Sequence, residues 1–178
     1  MNAKMLLILL LALAVAVSLA AVLVASPDAA DWPQKDRELR KKVDEINTKT
    51  GARQISAADL EERLKRGERI VILDVREPKE MEVSALPGAR LAPSGEVRTM
   101  PLNGIPADAT VVTYCTVGYR SGKAAVLLEQ RLGRPVYNLD GGIIAWFNHG
   151  GRVLDPSGKP VDRIDAWGEP WTSYVHPR

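Results

Sequence analysis

Arg69-Ile70-Val71-Ile72-Leu73-Asp74-Val75 is a nearly continuous apolar and β-branched run, followed at once by Arg76 and Glu77. A strand with one wet face alternates apolar and polar residues. A run without alternation predicts burial on both faces, as in a parallel sheet with helices above and below. Upstream, Ser56-Ala57-Ala58-Asp59 opens like a capping box and predicts a helix over about 56–66, with Gly67 placed to end it. Downstream, further strands are predicted at 89–92, 110–114 and 135–139. Helices are predicted over about 78–83, 94–100, 121–132 and 142–149. The alternation predicts an α/β sandwich. Such folds bind ligands at the carboxyl ends of their strands, where Asp74-Val75-Arg76-Glu77 and the segment after 110–114 both fall.

That second segment is Cys115-Thr116-Val117-Gly118-Tyr119-Arg120-Ser121, and Cys115 is the only cysteine in the chain. A lone thiol between a strand and a helix is a candidate nucleophile. The first turn of a helix has N–H groups without intrahelical partners and partial positive charge, so a thiolate is stabilised there, and a neighbouring Arg120 adds to this. Gly118 allows the left-handed backbone that turns successive N–H groups toward one point, forming an anion-binding nest. The competing reading is a buried structural cysteine at the end of a core strand.

Taken together, Val71-Ile72-Leu73-Asp74-Val75-Arg76-Glu77, Leu86-Pro87-Gly88-Ala89, the Cys115–Arg120 loop and Leu139-Asp140-Gly141-Gly142 with Trp146 resemble a rhodanese-like (sulfurtransferase) domain. The resemblance covers residues 53–154. It implies a three-layer sandwich with a five-stranded parallel sheet flanked by helices, and a catalytic Cys115 that carries a covalent persulfide with no other cofactor. Sulfur would pass from a donor such as thiosulfate to a thiol or cyanide-like acceptor, with a protein acceptor also open. Thr116, Val117, Gly118, Tyr119 and Arg120 would bind substrate, their N–H groups holding the sulfur anion. Arg120 offers bidentate charge to an oxyanion or, alternatively, a salt bridge that shapes the loop. Asp74 and Arg76 would support the loop as a pair. Gly141 and Gly142 allow a tight turn into the last helix, which Asp140 is placed to cap.

One departure stands out: where family members usually carry Gly-His-Ile-Pro-Gly-Ala, this chain reads Ser84-Ala85-Leu86-Pro87-Gly88-Ala89. Two other functions use a cysteine loop of this kind. A persulfide carrier or docking module would use the same cysteine without turnover. A phosphatase or arsenate reductase of related fold would need one more residue between Cys115 and Arg120, to make room for a tetrahedral phosphate.

The chain has 178 residues, 46% of them hydrophobic, and a net charge of +2, which is too small to suggest nucleic-acid binding. One cysteine and two distant histidines provide no metal-ligand cluster, so no metal is expected. Residues 5–25 form an apolar run of membrane-spanning length, read within residues 1–25 as a transmembrane anchor or a signal peptide. Lys4 before it and Asp28 and Asp31 after it place the domain outside the cytoplasm: anchored in the inner membrane facing the periplasm or exterior, or released after cleavage. Residues 26–52 read as a linker and a charged helix with Leu39, Val43 and Ile46 on one stripe. Residues 155–178 form a tail with Trp167, Trp171 and Tyr174, expected to pack on the core in preference to forming a contact surface for a partner or the membrane.

Overall fold

The computed structural model describes residues 32–178. The expected membrane span at 5–25 lies outside the described residues, among which no helix is long and apolar enough to cross a membrane. Glu38–Arg178 form one compact unit. Helix α1 (Trp32–Thr50) begins ahead of it, and in its first turn the Lys35 ammonium lies 4.6 Å from the centre of the Trp32 ring.

After α1 come β1 (Arg53–Ile55), α2 (Ala57–Lys65), β2 (Ile70–Asp74), α3 (Pro78–Val83), β3 (Arg90–Leu91) and β4 (Thr110–Tyr114). The chain continues through α4 (Tyr119–Leu132), β5 (Val136–Leu139), α5 (Gly142–Asn148), β6 (Val153–Leu154), β7 (Pro160–Val161) and a 3-10 turn at Thr172–Tyr174. Strands β1 to β5 form a parallel sheet in the order β1-β5-β4-β2-β3, flanked by helices, as the resemblance implies. From β2 the chain goes outward to β3 and then returns to β4 on the other side. The carboxyl ends of β2 and β4 therefore border the crevice where α/β sheets bind ligands. In register, Asp74 pairs with Tyr114, the residue before Cys115.

The two sheet faces divide the run that opened the sequence. Val71, Leu73 and Val111 pack with Ala124, Ala125 and Leu128 of α4. Ile72, Val112 and Tyr114 pack on the opposite face with Leu60 of α2 and Ile143 and Phe147 of α5. Burial of both odd and even positions is why the run lacks alternation. A third cluster joins Leu39 and Val43 of α1 to Val117, Ile144, Ala166 and Tyr174, so the charged helix and part of the tail share one apolar seam.

Ser56 caps α2 as expected, accepting the Asp59 N–H at 3.0 Å. Three expectations differ from the structure. The helix predicted over 94–100 is a series of turns. Glu96 N–H to Pro93 O at 2.8 Å and Thr99 N–H to Glu96 O at 3.0 Å close three-residue steps, and a single four-residue bond, Met100 N–H to Glu96 O at 2.9 Å, is not continued into a helix. Prolines at 93 and 101 bracket the segment and Gly95 weakens it. Helix α4 starts at Tyr119 rather than Ser121, which places Arg120 inside the first helical turn. Asp140 does not cap α5, because its carboxylate accepts from Arg40 at 2.6 and 3.1 Å and from Asn47 at 2.8 Å. It clasps α1 instead.

Candidate active site

The loop between β4 and α4 is shaped from behind by the β5–α5 corner. Ile143 N–H donates to Cys115 O at 2.8 Å and Ile144 N–H to Thr116 O at 3.3 Å. The Asn138 side-chain amide donates to Gly118 O at 3.2 Å. These bonds fix the carbonyls of Cys115, Thr116 and Gly118 against the corner. Gly118, at φ +104°, directs its N–H to Cys115 Sγ at 3.3 Å. Gly142 makes the close approach possible, since a Cβ there would lie 2.4 Å from Cys115 O and 2.5 Å from Thr116 O. Glycine is required at that corner for space as well as for its φ of +60°.

Cys115 is 2% exposed, yet it lines a cleft of about 500 Å³ with Thr116, Val117, Tyr119 and Arg120. The structure therefore satisfies half of each opposing reading: the thiol is buried among core residues of the sheet, and it also borders open space. Tyr119 stands half-exposed at the mouth, with the Lys123 ammonium 4.5 Å from its ring centre. Hydrogen bonding to Lys123, reinforced by charge from Lys123 and Lys49, holds its hydroxyl below the usual tyrosine range.

Arg120 is not a free oxyanion fork. Its guanidinium donates from Nη1 to Glu80 Oε2 at 2.7 Å and from Nη2 to Glu80 Oε1 at 2.7 Å, and Nη2 also reaches Thr116 Oγ1 at 3.0 Å. Glu80 is fully buried at the start of α3 and also accepts the Glu77 N–H at 2.9 Å. Burial pushes the Glu80 carboxyl up, but the Arg120 and Glu77 hydrogen bonds outweigh it and hold the group below the usual carboxylate range. Burial opposes charge on Arg120 too, while Glu80 and the neighbouring Cys115 raise its affinity for the proton. A fixed positive charge beside the sulfur follows, with its edge taken by Glu80.

Asp74 and Arg76 lie behind the loop, both fully buried, and do not line the cleft. Arg76 meets Asp74 at 2.9 Å through Nε and 2.7 Å through Nη2, and Nη2 also donates to Ser84 O at 2.7 Å. The Tyr114 hydroxyl donates to Asp74 at 2.6 Å and accepts the Leu86 N–H at 3.2 Å. Burial, then the Asp74 charge, pushes the Tyr114 hydroxyl well above its usual range, which keeps it a donor. Arg76 Nη1 has no hydrogen-bond partner, but the guanidinium lies 5.3 Å from the Tyr114 ring centre. The pair thus anchors the residue that precedes the cysteine. Gly141 and Gly142 form the supporting corner, also outside the cleft.

Sequence reasoning missed Glu80, Lys42, Lys49 and the contact of Trp167 with the site. Glu80 three residues after Glu77 reads as a helix start, and nothing local links it to Arg120. The Arg120 guanidinium lies 5.3 Å from the centre of the Trp167 ring, and Trp171 joins the wall. The tail aromatics are divided between two uses: Tyr174 is buried, while Trp167 is 57% exposed over the site.

A profile of the rhodanese-like domain matches residues 56–149. A sulfurtransferase of Allochromatium vinosum is 39% identical over 106 residues, which span 59% of this chain and 97% of that protein. The crystal structure of a rhodanese-related protein from Thermoplasma volcanium is 33% identical with a TM-score of 0.51, covering 57% of this chain and 97% of that one. A structure from Rhodopseudomonas palustris described as a protein of unknown function, possible tyrosine phosphatase, is 28% identical with a TM-score of 0.53, over 65% and 92% of the two chains.

Proposed function

Since the chain belongs to the rhodanese-like domain family, we propose that it is a sulfurtransferase in which Cys115 takes a sulfane sulfur from a donor such as thiosulfate and passes it to a thiophilic acceptor. In the first half-reaction the Cys115 sulfur bonds to the outer sulfur of thiosulfate. The S–S bond of the donor breaks, sulfite leaves with the electron pair, and the thiol proton ends on the Cys115 persulfide. In the second, the acceptor thiolate or cyanide attacks the outer sulfur and the Cys115 thiolate leaves. Two half-reactions imply ping-pong kinetics.

The observation that carries this reading is the position of Cys115 Sγ, bordering an open cleft and bonded by the Gly118 N–H, with the Arg120 charge fixed alongside. The loop N–H groups of residues 116–120 would stabilise the thiolate and the persulfide anion alike. Asp74, Arg76, Gly141 and Gly142 act as positioning residues. Four residues between Cys115 and Arg120 favour sulfur over a tetrahedral phosphate, and Arg120 already holds Glu80. In this reading residues 1–25 serve as a membrane anchor or export signal, residues 26–52 as a linker and charged helix and 53–154 as the rhodanese-like domain with 155–178 as its tail, and the site faces away from the cytoplasm. Intact mass and cell fractionation test that placement.

Cyanolysis of the full chain with thiosulfate is the deciding experiment. Thiocyanate release that disappears in Cys115→Ser supports the reading. Persulfide loading of Cys115 without turnover turns it into a carrier, and hydrolysis of a phosphate ester by the wild type overturns both.

A further inference from the structure

The cleft over Cys115 is walled largely from outside the matched domain of residues 56–149. Lys42, Ile46 and Lys49 of α1 form one side, and Trp167 and Trp171 of the tail form the other. Both walls are anchored. Arg40 and Asn47 clasp α1 to Asp140, while Ala166 and Tyr174 are buried on either side of the tail tryptophans. Trp167 is held at φ +59°, a left-handed conformation uncommon for a bulky residue, with its N–H on Asp165 Oδ1 at 2.6 Å. That conformation sets an exposed indole over the Arg120 guanidinium instead of into the core.

The size and chemistry of this space do not suit a small inorganic anion alone. About 500 Å³ lies in the range of pockets that enclose drug-sized organic molecules. Ile46, Val117, Trp167 and Trp171 supply apolar and aromatic surface. Lys42 and Lys49 have no ion pair among the described residues and face a single lining acid, Glu45. The Arg120 charge is balanced by Glu80, and Lys42 and Lys49 against Glu45 leave the entrance with a surplus of positive charge. An aromatic wall, a cationic mouth and a sulfur nucleophile at one end describe the complement of an organic anion that bears a transferable sulfur.

We propose that the flanking segments make the protein selective for an organic sulfane-sulfur anion, of the thiosulfonate class R–SO2–S⁻, over inorganic thiosulfate. Trp167 and Trp171 hold the body R, and Lys42 and Lys49 draw the anion in. The proposal rests on the sulfurtransferase reading of Cys115. The Cys115 sulfur bonds to the terminal sulfur and the bond from that sulfur to the sulfonyl group breaks. The sulfinate R–SO2⁻ leaves with the electron pair, and the thiol proton remains on the persulfide.

The test compares kcat/KM for benzenethiosulfonate and thiosulfate, with cyanide as acceptor, in the full chain and in Trp171→Ala. The wild type is expected to prefer the aromatic donor. The ratio of the two values should fall about tenfold in Trp171→Ala, as when a sizeable apolar contact is lost from a pocket. An equal loss toward both donors makes Trp171 merely structural and overturns the proposal, as does a wild type that uses thiosulfate equally well. If Trp171→Ala fails to fold, Cys115→Ser is titrated with benzenethiosulfonate while tryptophan fluorescence is followed. Saturable quenching that thiosulfate does not produce at the same concentration supports the cleft, and its absence overturns it. A wild type inactive with both donors, paired with a Cys115→Ser chain that binds the aromatic anion, removes the sulfurtransferase reading and leaves the selectivity of the cleft intact.

Discussion

Arg120 and Glu80 meet edge to edge, with two hydrogen bonds of 2.7 Å joining the first turn of α4 to the first turn of α3 across 40 residues of chain. The carboxylate is fully buried and the guanidinium side chain is 21% exposed. Thr116 of the cysteine loop bonds into the same pair, so its geometry sets where the positive charge stands relative to Cys115.

Glu80→Gln keeps the shape of that contact and removes its charge. Leaving one partner of a buried pair alone costs about 3–5 kcal/mol. Solvent reaches Arg120, so about 2 kcal/mol is expected here, read from urea unfolding. The rate of persulfide formation should fall about tenfold as the loop shifts.

The same carboxyl has a pH signature. Its folded value lies below the ordinary 4.5, so the unfolded chain binds its proton first as pH falls. The stabilisation from Glu80 is therefore complete above that ordinary value and is lost as pH falls through the folded one. Unfolding free energy measured against pH should decline more steeply below about 4.5 in the wild type than in Glu80→Gln.

Behind the loop, Asp74→Asn leaves Arg76 charged and fully buried without its counter-ion. A loss of about 3–5 kcal/mol is expected, enough to unfold many domains of this size. Tyr114→Phe, which removes only the hydroxyl between Asp74 and the Leu86 N–H, should cost about 1–2 kcal/mol. Equal effects in denaturant titrations would show that the Asp74–Arg76 charge pair is not the main support.

Gly142→Ala and Gly158→Ala separate crowding from backbone conformation. Both glycines have positive φ, but a Cβ at Gly158 meets nothing within 4 Å, whereas at Gly142 it would strike the carbonyl of Cys115. The expected costs are about 1 kcal/mol at Gly158 and about 3 kcal/mol at Gly142. Thermal unfolding ranks the two, and sulfur transfer should be lost only at Gly142.

Much of the fold and of the cysteine loop is legible in the sequence. The run from Ile70 to Leu73 is apolar without alternation because both sheet faces are covered, and Ser56 announces its helix because a side-chain oxygen must satisfy an orphan N–H. The loop from Cys115 to Arg120 was visible because its residues are consecutive. The pattern at 94–100 resembles an amphipathic helix, but the flanking prolines limit helical bonding and the segment forms turns.

The parallel sheet, the cysteine loop and the family follow from local pattern alone: burial periodicity, turn residues and short motifs along the chain. What surrounds the sulfur is a product of long-range folding. Glu80 takes the Arg120 fork, Asp140 clasps Arg40 and Asn47, and Trp167 settles over Arg120. Each of these contacts joins residues far apart in the chain. Chain folding brings them within hydrogen-bonding or van der Waals reach, so their spacing in the sequence carries no trace of the contact.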